Sequence, residues 1–337
     1  MRAFVISGPG QGGVREVEPP RAEAGHAIVE VERVGLCGTD EELFSGEMSY
    51  LHSGEAAYPL RPGHEWCGRV VEVGAGVDAS WIGTRVTADT MLGDGTCDRC
   101  RSGRQHLCED RYEIGIRRGW PGALAERLAV PERALLRLPD PVDAQLGALV
   151  EPSGNAVRAL RAAAVRSGER LLVFGPGTIG ILVAMFARAD GIEVHLVGRS
   201  ERSRSFANSL GFDHVWTDDT IPDLRYDAAV DASSAPQLPA RAIELVESGR
   251  RVSLIGIAGQ PSPADTRAII FSELTVVGVL SASGGLEEAI ERLASETVDA
   301  RPLVAATVGL DQVASVLGGG RDAAWGNAPK IHVDPHR

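Results

Sequence analysis

Leu171-Leu172-Val173-Phe174-Gly175-Pro176-Gly177-Thr178-Ile179-Gly180 joins a short apolar run to a glycine-rich turn, and the apolar segment that follows, Ile179 to Ala189, predicts a helix. G-x-G-x-x-G says little alone, but strand, turn and helix are the context it needs. Gly175 permits the tight turn, Gly177 lets the backbone approach a phosphate group, and Gly180 lets helix and strand pack closely. The N–H groups at Thr178 and Ile179 open the helix and are free to meet an anion. The motif therefore reads as a dinucleotide loop; the plainer alternative is a glycine turn in an ordinary α/β domain.

Working outward, Glu193 to Val197 reads as the next strand and 200–210 as a helix. Strands recur at Ala228 to Val230, Val252 to Ile255 and Leu274 to Val277, with helical segments between several of them, and Ala156 to Arg166 predicts a helix ahead of the loop. This alternation predicts a parallel, doubly wound sheet over 154–285. A carboxylate just past the second strand would hold a ribose 2′-hydroxyl. Here the chain reads Gly198-Arg199-Ser200, then Arg202 and Arg204. Arginine grips a 2′-phosphate bidentately, whereas a carboxylate repels it, so NADP(H) is expected over NAD(H). The competing reading leaves these arginines on a solvent-facing helix start.

Residues 1–153 have a different texture. Ala27 to Val34, Arg69 to Gly74 and a segment opening at Gly83 read as short strands between glycine turns, and predict a β barrel or sandwich. The chain becomes mixed again after about residue 285, and 286–337 is expected to rejoin the first domain. The length of 337 residues suits two domains. No apolar run is long enough to span a membrane and no secretory leader is visible, so a cytoplasmic protein is expected. A net charge of −12 argues against nucleic acid. Three of the five cysteines fall within twelve residues, and with no export signal such clusters bind metal more often than they form disulfides.

Three short segments carry metal-binding side chains: Gly35-Leu36-Cys37-Gly38-Thr39-Asp40, Gly63-His64-Glu65 and Leu149-Val150-Glu151-Pro152. Cys, His and Glu all ligate zinc, and three protein ligands with one open position is the catalytic arrangement. Asp94, Cys97, Cys100 and Cys108 form a further set with ligand spacing.

G-x-C-G-T-D, G-H-E-x-x-G, the cysteine lobe, V-E-P and the dinucleotide loop stand in the order found in zinc-containing medium-chain dehydrogenases/reductases, which the chain resembles over essentially its full length. The resemblance implies a GroES-like β domain joined to a Rossmann domain, with the active site in the cleft between. It implies Cys37 and His64 as zinc ligands, Glu151 as the third ligand in the manner of polyol and sugar dehydrogenases, and Glu65 as a carboxylate that ligates or lies beside the metal. Thr39 resembles the hydroxyl residue that bonds the substrate oxygen. Many relatives carry a relay histidine three residues after that hydroxyl; this chain has Glu42, as in the glucose dehydrogenase branch. Asp94 stands where the structural zinc lobe usually has its first cysteine, and a second, structural zinc is expected there; a decayed lobe with three free thiols is the alternative.

Other residues are weaker candidates. Trp120 and Asn155 are candidate substrate contacts with Glu42, although Trp120 can equally be packing and Asn155 a helix cap. His52 suits the surface and Cys67 a buried core thiol. The expected function is zinc-dependent hydride transfer between NADP(H) and a hydroxylated secondary alcohol or its ketone: a polyol, sugar or cyclitol. A biosynthetic carbonyl reductase and a non-catalytic NADP(H)-binding protein are the alternatives, and a homodimer or homotetramer is implied by the resemblance.

Overall fold

The computed structural model describes residues 1–337 and divides into two compact units. The first comprises Met1–Glu151, Ile290–Gly326 and Lys330–Arg337; the second comprises Pro152–Ala289 and Asn327–Pro329.

The first unit is built on a seven-stranded sheet. Its centre is β1 (His26–Gly35), which pairs antiparallel with β2 (Glu65–Val73) and with β4 (Arg127–Pro131). β3 (Arg85–Ala88) and β5 (Leu135–Arg137) extend the sheet beyond β2. Val29, Val31 and Val34 of β1 are fully buried with Trp66, Leu124 and Leu128 in one core. The register sets Gly35 opposite Glu65, so the strand leading to Cys37 and the strand following His64 end side by side. Helix α1 (Gly38–Ser45) begins immediately after Cys37 and buries Leu43 and Phe44.

The second unit carries a six-stranded parallel sheet. Its strands are β6 (Arg170–Phe174), β7 (Glu193–Val197), β8 (Val215–Trp216), β9 (Tyr226–Asp231), β10 (Val246–Leu254) and β11 (Thr275–Gly278). Their spatial order is β8-β7-β6-β9-β10-β11. The order reverses at β6, and a crevice at the carboxyl ends of the strands is the expected ligand site of such a sheet. Phe174 is level with Val197 on one side and Asp231 on the other.

Several boundaries differ from the sequence expectation. Helix α2 runs Val150–Ala163 instead of opening at Ala156. Pro152 lies in its first turn, where the missing N–H costs nothing. Asn155 is thereby an interior position, which removes its reading as a cap. β10 starts at Val246, six residues before the predicted Val252, because Tyr226 pairs with Val246 across a register shift. Helix α3 (Thr178–Ala189) buries every residue from Gly180 to Ala187. At the edge-to-core end of the first unit's sheet, β12 (Val304–Gly309) runs parallel to β13 (Lys330–Asp334), and β13 returns to pair with Gly35 of β1.

Candidate active site and cofactor cleft

Cys37, His64 and Glu65 come together in the first unit, with one ligand atom from each within 4.8 Å of the others. Cys37 sits at the N-terminal end of α1. The residue that ties the two ligand segments is Asp40, fully buried. One carboxylate oxygen accepts the Cys37 N–H at 2.9 Å and the other the Gly63 N–H at 3.1 Å. The second oxygen also lies 3.6 Å from His64 Nδ1, a buried nitrogen with no good hydrogen bond of its own. Burial works against an imidazolium at His64, but the Asp40 charge outweighs it and holds the His64 pKa well above its usual value.

Glu65 is also buried, and both its oxygens accept from Lys330 Nζ, at 2.9 and 2.7 Å. Lys330 donates to the Leu36 carbonyl as well, at 2.9 Å. Burial opposes the ammonium, and the Glu65 and Cys37 charges overcome it, so the Lys330 pKa is raised. A Cβ at Gly35 would lie 2.3 Å from a Glu65 oxygen, so the carboxylate needs a glycine there. A thiolate, an imidazole and a carboxylate, anchored by a buried carboxylate and a buried ammonium, fit a zinc ion.

Thr39 lies half-buried in the first turn of α1, and Glu42 is exposed one turn on. Glu151 is half-buried in the first turn of α2, outside the Cys37 group as that group stands. Asn155 is buried. Trp120 lines a cavity formed by neither Cys37, His64 nor Glu65. His52 is exposed, and Cys67 is a buried thiol whose pKa is pushed up chiefly by burial.

Asp94, Cys97, Cys100 and Cys108 also converge within 4.8 Å. One Asp94 oxygen accepts the Thr96 and Cys97 N–H groups at 2.6 and 2.9 Å, which leaves the other oxygen for a metal. Those N–H groups depress the Asp94 pKa, keeping it ionised. Three sulfurs and one oxygen are a feasible zinc set.

A third group, Glu193, His195 and His214, is equally compact but reads differently. Trp216 Nε1 donates to His195 Nδ1 at 3.1 Å, so the neutral ring carries its proton on Nε2, against Glu193 at 2.8 Å. A metal-bound histidine donates from its other nitrogen, and here that nitrogen accepts. The stacked His195–His214 pair is therefore a packing feature of the sheet.

In the second unit a cleft of about 770 Å³ opens over Gly175, Gly177, Arg199, Ser200 and Arg202. Gly175 has φ +86°, and a Cβ at Gly180 would lie 2.0 Å from the Gly175 carbonyl oxygen, whereas nothing lies within 4 Å of one at Gly177. Thr178 and Ile179 open α3 beside them. The three arginines differ. Arg204 is spent on the Gly198 and Arg199 carbonyls and on Glu201, and Arg202 donates to the Ala328 carbonyl at 3.3 Å. Arg199 is exposed at the cleft, with its guanidinium unpaired. Asp218 and Asp219 also line the cleft, and Arg241 pairs with Asp218.

Sequence reasoning missed Asp40 and Lys330 as supports of the metal group. Asp40 belongs to the G-x-C-G-T-D motif, where a carboxylate three residues after a helix-opening cysteine is a local capping signal. Lys330 is 265 residues from Glu65 and carried none.

Residues 23–140 match the alcohol dehydrogenase GroES-like domain, and residues 178–295 match the zinc-binding dehydrogenase domain. An L-threonine 3-dehydrogenase of Saccharopolyspora erythraea is 32% identical over 83% of each chain. A 2-dehydro-3-deoxy-L-galactonate 5-dehydrogenase of Pseudoalteromonas atlantica is 30% identical over 88% of each. Among solved structures, a zinc-binding dehydrogenase of Sinorhizobium meliloti 1021 bound to NADP superposes with a TM-score of 0.88, at 26% identity over 99% of both chains. With a GroES-like domain, a Rossmann-like parallel sheet and Cys37, His64 and Glu65 brought together, this chain belongs to the zinc-type medium-chain alcohol dehydrogenases, oxidoreductases that act on CH–OH groups.

Proposed function

We propose that this enzyme transfers hydride between NADP(H) and a hydroxylated secondary alcohol, a polyol, sugar or cyclitol, with catalytic zinc held by Cys37, His64 and Glu151. The observation that carries the reading is the Cys37–His64–Glu65 group, braced from one side by Asp40 and from the other by Lys330. Zinc, when bound, lowers the pKa of a coordinated hydroxyl and so favours the alkoxide from which hydride departs.

The chain's own residues do the rest. Asp40 fixes the Cys37 and Gly63 backbones, which aims the thiolate and imidazole. Lys330 holds Glu65 beside the ligands as a partner or exchange ligand. Thr39, two residues past Cys37, accepts the substrate proton at Oγ1. With Glu42 in place of a relay histidine, that proton leaves to solvent or to a cofactor hydroxyl. Asn155 and Glu42 are candidate partners for substrate hydroxyls. Asp94, Cys97, Cys100 and Cys108 hold a second zinc that only folds their loop.

The preference for NADP(H) rests on Arg199, with Ser200 and Arg202 beside it. A charge-assisted hydrogen bond contributes about 1.5–3 kcal/mol. Arg199→Ala is therefore expected to lower kcat/KM with NADP+ by ten-fold or more and leave NAD+ nearly unchanged. Equal losses with both cofactors would contradict the assignment. Sugars, cyclitols, linear polyols and L-threonine, assayed with both cofactors, test the substrate class; turnover confined to apolar alcohols would contradict it.

The same reading includes self-association. β11 is the outer strand of its sheet, and Ile270 and Phe271 just before it are 71% and 86% exposed. An unpaired edge with exposed apolar side chains favours a second copy. Light scattering should give a dimer or tetramer, and Phe271→Asp should shift it toward monomer.

A further inference from the structure

Arg61 is a partly buried cation without an anion. Its Nε is shut off from solvent and bonds to nothing, and its guanidinium makes neither a hydrogen bond nor an ion pair. Burial brings its pKa down to about 10, so it stays charged at neutral pH. Its neighbour Arg118 is paired with Asp110 at 3.1 Å. A partly desolvated charge with no partner is costly, and an anion in the cavity beside it would offset that cost.

Arg61 lines a cavity of about 320 Å³ within the first unit, at the small end of ligand-pocket sizes. Trp120 forms one wall. It stacks on His26 with centroids 5.9 Å apart and meets Tyr112 edge-on at 5.7 Å. Leu128 and Pro121 add apolar surface. Glu23 is also on the lining but forms no ion pair with Arg61. A second cavity, of about 250 Å³, shares Arg61, Trp120 and Pro121.

None of Cys37, His64 and Glu65 lines either cavity, although Arg61 stands only three residues before His64.

We propose that this cavity binds a small aromatic carboxylate, with its ring against Trp120 and its carboxylate on Arg61. A planar guanidinium pairs bidentately with a carboxylate. Arg21, Glu23 and Arg118 also line the cavity, but all three are exposed and Arg118 is paired with Asp110, so Arg61 is its one partly buried, unpaired cation, which suits a monoanion better than a phosphate dianion. The volume admits a single ring. The ligand is accessory to the hydride-transfer reaction, and the proposal is independent of cofactor preference and substrate.

Calorimetry with benzoate on the zinc-loaded enzyme tests it. Saturable binding of one benzoate per chain is expected, at least ten-fold tighter than benzyl alcohol, which keeps the ring and lacks the charge. Arg61→Met should weaken benzoate at least ten-fold. Undiminished binding to Arg61→Met would overturn the proposal by placing benzoate elsewhere, on the metal or in the cofactor cleft; so would the absence of saturation. If Arg61→Met does not fold, emission carries the test: benzoate should quench the wild type saturably and leave Trp120→Phe unquenched. Equal quenching of both proteins would overturn the proposal.

Discussion

Lys330 and Glu65 form the most buried ion pair of the metal group, at 3% and 2% side-chain exposure. Breaking a buried pair by removing one partner costs about 3–5 kcal/mol, because the other charge is left stranded. Lys330→Met is expected to lower unfolding stability by about that amount in urea titrations. Lys330→Met with Glu65→Gln should cost less than the two single changes together. Strict additivity would mean the two groups do not interact. His332, two residues on, is fully buried with both ring nitrogens unbonded. Burial, then the Lys330 and Arg33 charges, holds its pKa down to about 3. The unfolded chain, with a pKa near 6.5, takes up the proton first as pH falls. Stability is therefore fully present above about pH 6.5 and declines toward pH 3. From pH 7.5 to 5.5 the loss from this one group is about 1.4 kcal/mol. His332→Leu should remove that component, so its unfolding midpoint should fall less than that of the wild type; an identical fall would exclude His332 as its source.

At the scale of elements, the cysteine lobe makes a distinct forecast. Metal analysis should find two zinc ions per chain in the wild type and one in Asp94→Ala, with the half-buried Cys97 and Cys100 then open to thiol reagents. Cys67, fully buried with its thiol donating to the Ala144 carbonyl, should stay unreactive in both. One zinc per chain in the wild type, lost on substituting Cys37, would mean the lobe is empty. Elements whose logic is local were legible in the sequence. The glycine loop needs one positive φ and two close approaches, all within ten residues. The edges of β6, β7 and α3 follow from compact apolar runs. The alanine-rich run from Ala156 marks only the later part of α2, which opens at Val150 with Pro152 in a first turn that tolerates it. Lys330–Glu65 and Asp40–Gly63 were not legible as pairs. Each joins segments that only the sheet register of β1, β2 and β13 brings together. Trp120 is a candidate for the substrate pocket or for packing on sequence position, and the fold sets it in a cavity with Arg61 and His26.

At the scale of the whole molecule, each unit has its own buried core, one around Trp66 and Leu128 and the other around Phe174 and Tyr226. No helix is long and apolar enough to cross a membrane. The metal group belongs to the first unit and the dinucleotide cleft to the second. Loss of the metal group should therefore abolish turnover and leave cofactor binding intact. The direct measurement is Cys37→Ser, assayed for zinc content, for NADPH binding by fluorescence, and for turnover of whichever polyol or sugar the wild type accepts. The expected result is one zinc fewer per chain, unchanged NADPH affinity and at least a hundred-fold loss of kcat. Unchanged zinc content with undiminished turnover would contradict the assignment of catalytic zinc to Cys37 and His64.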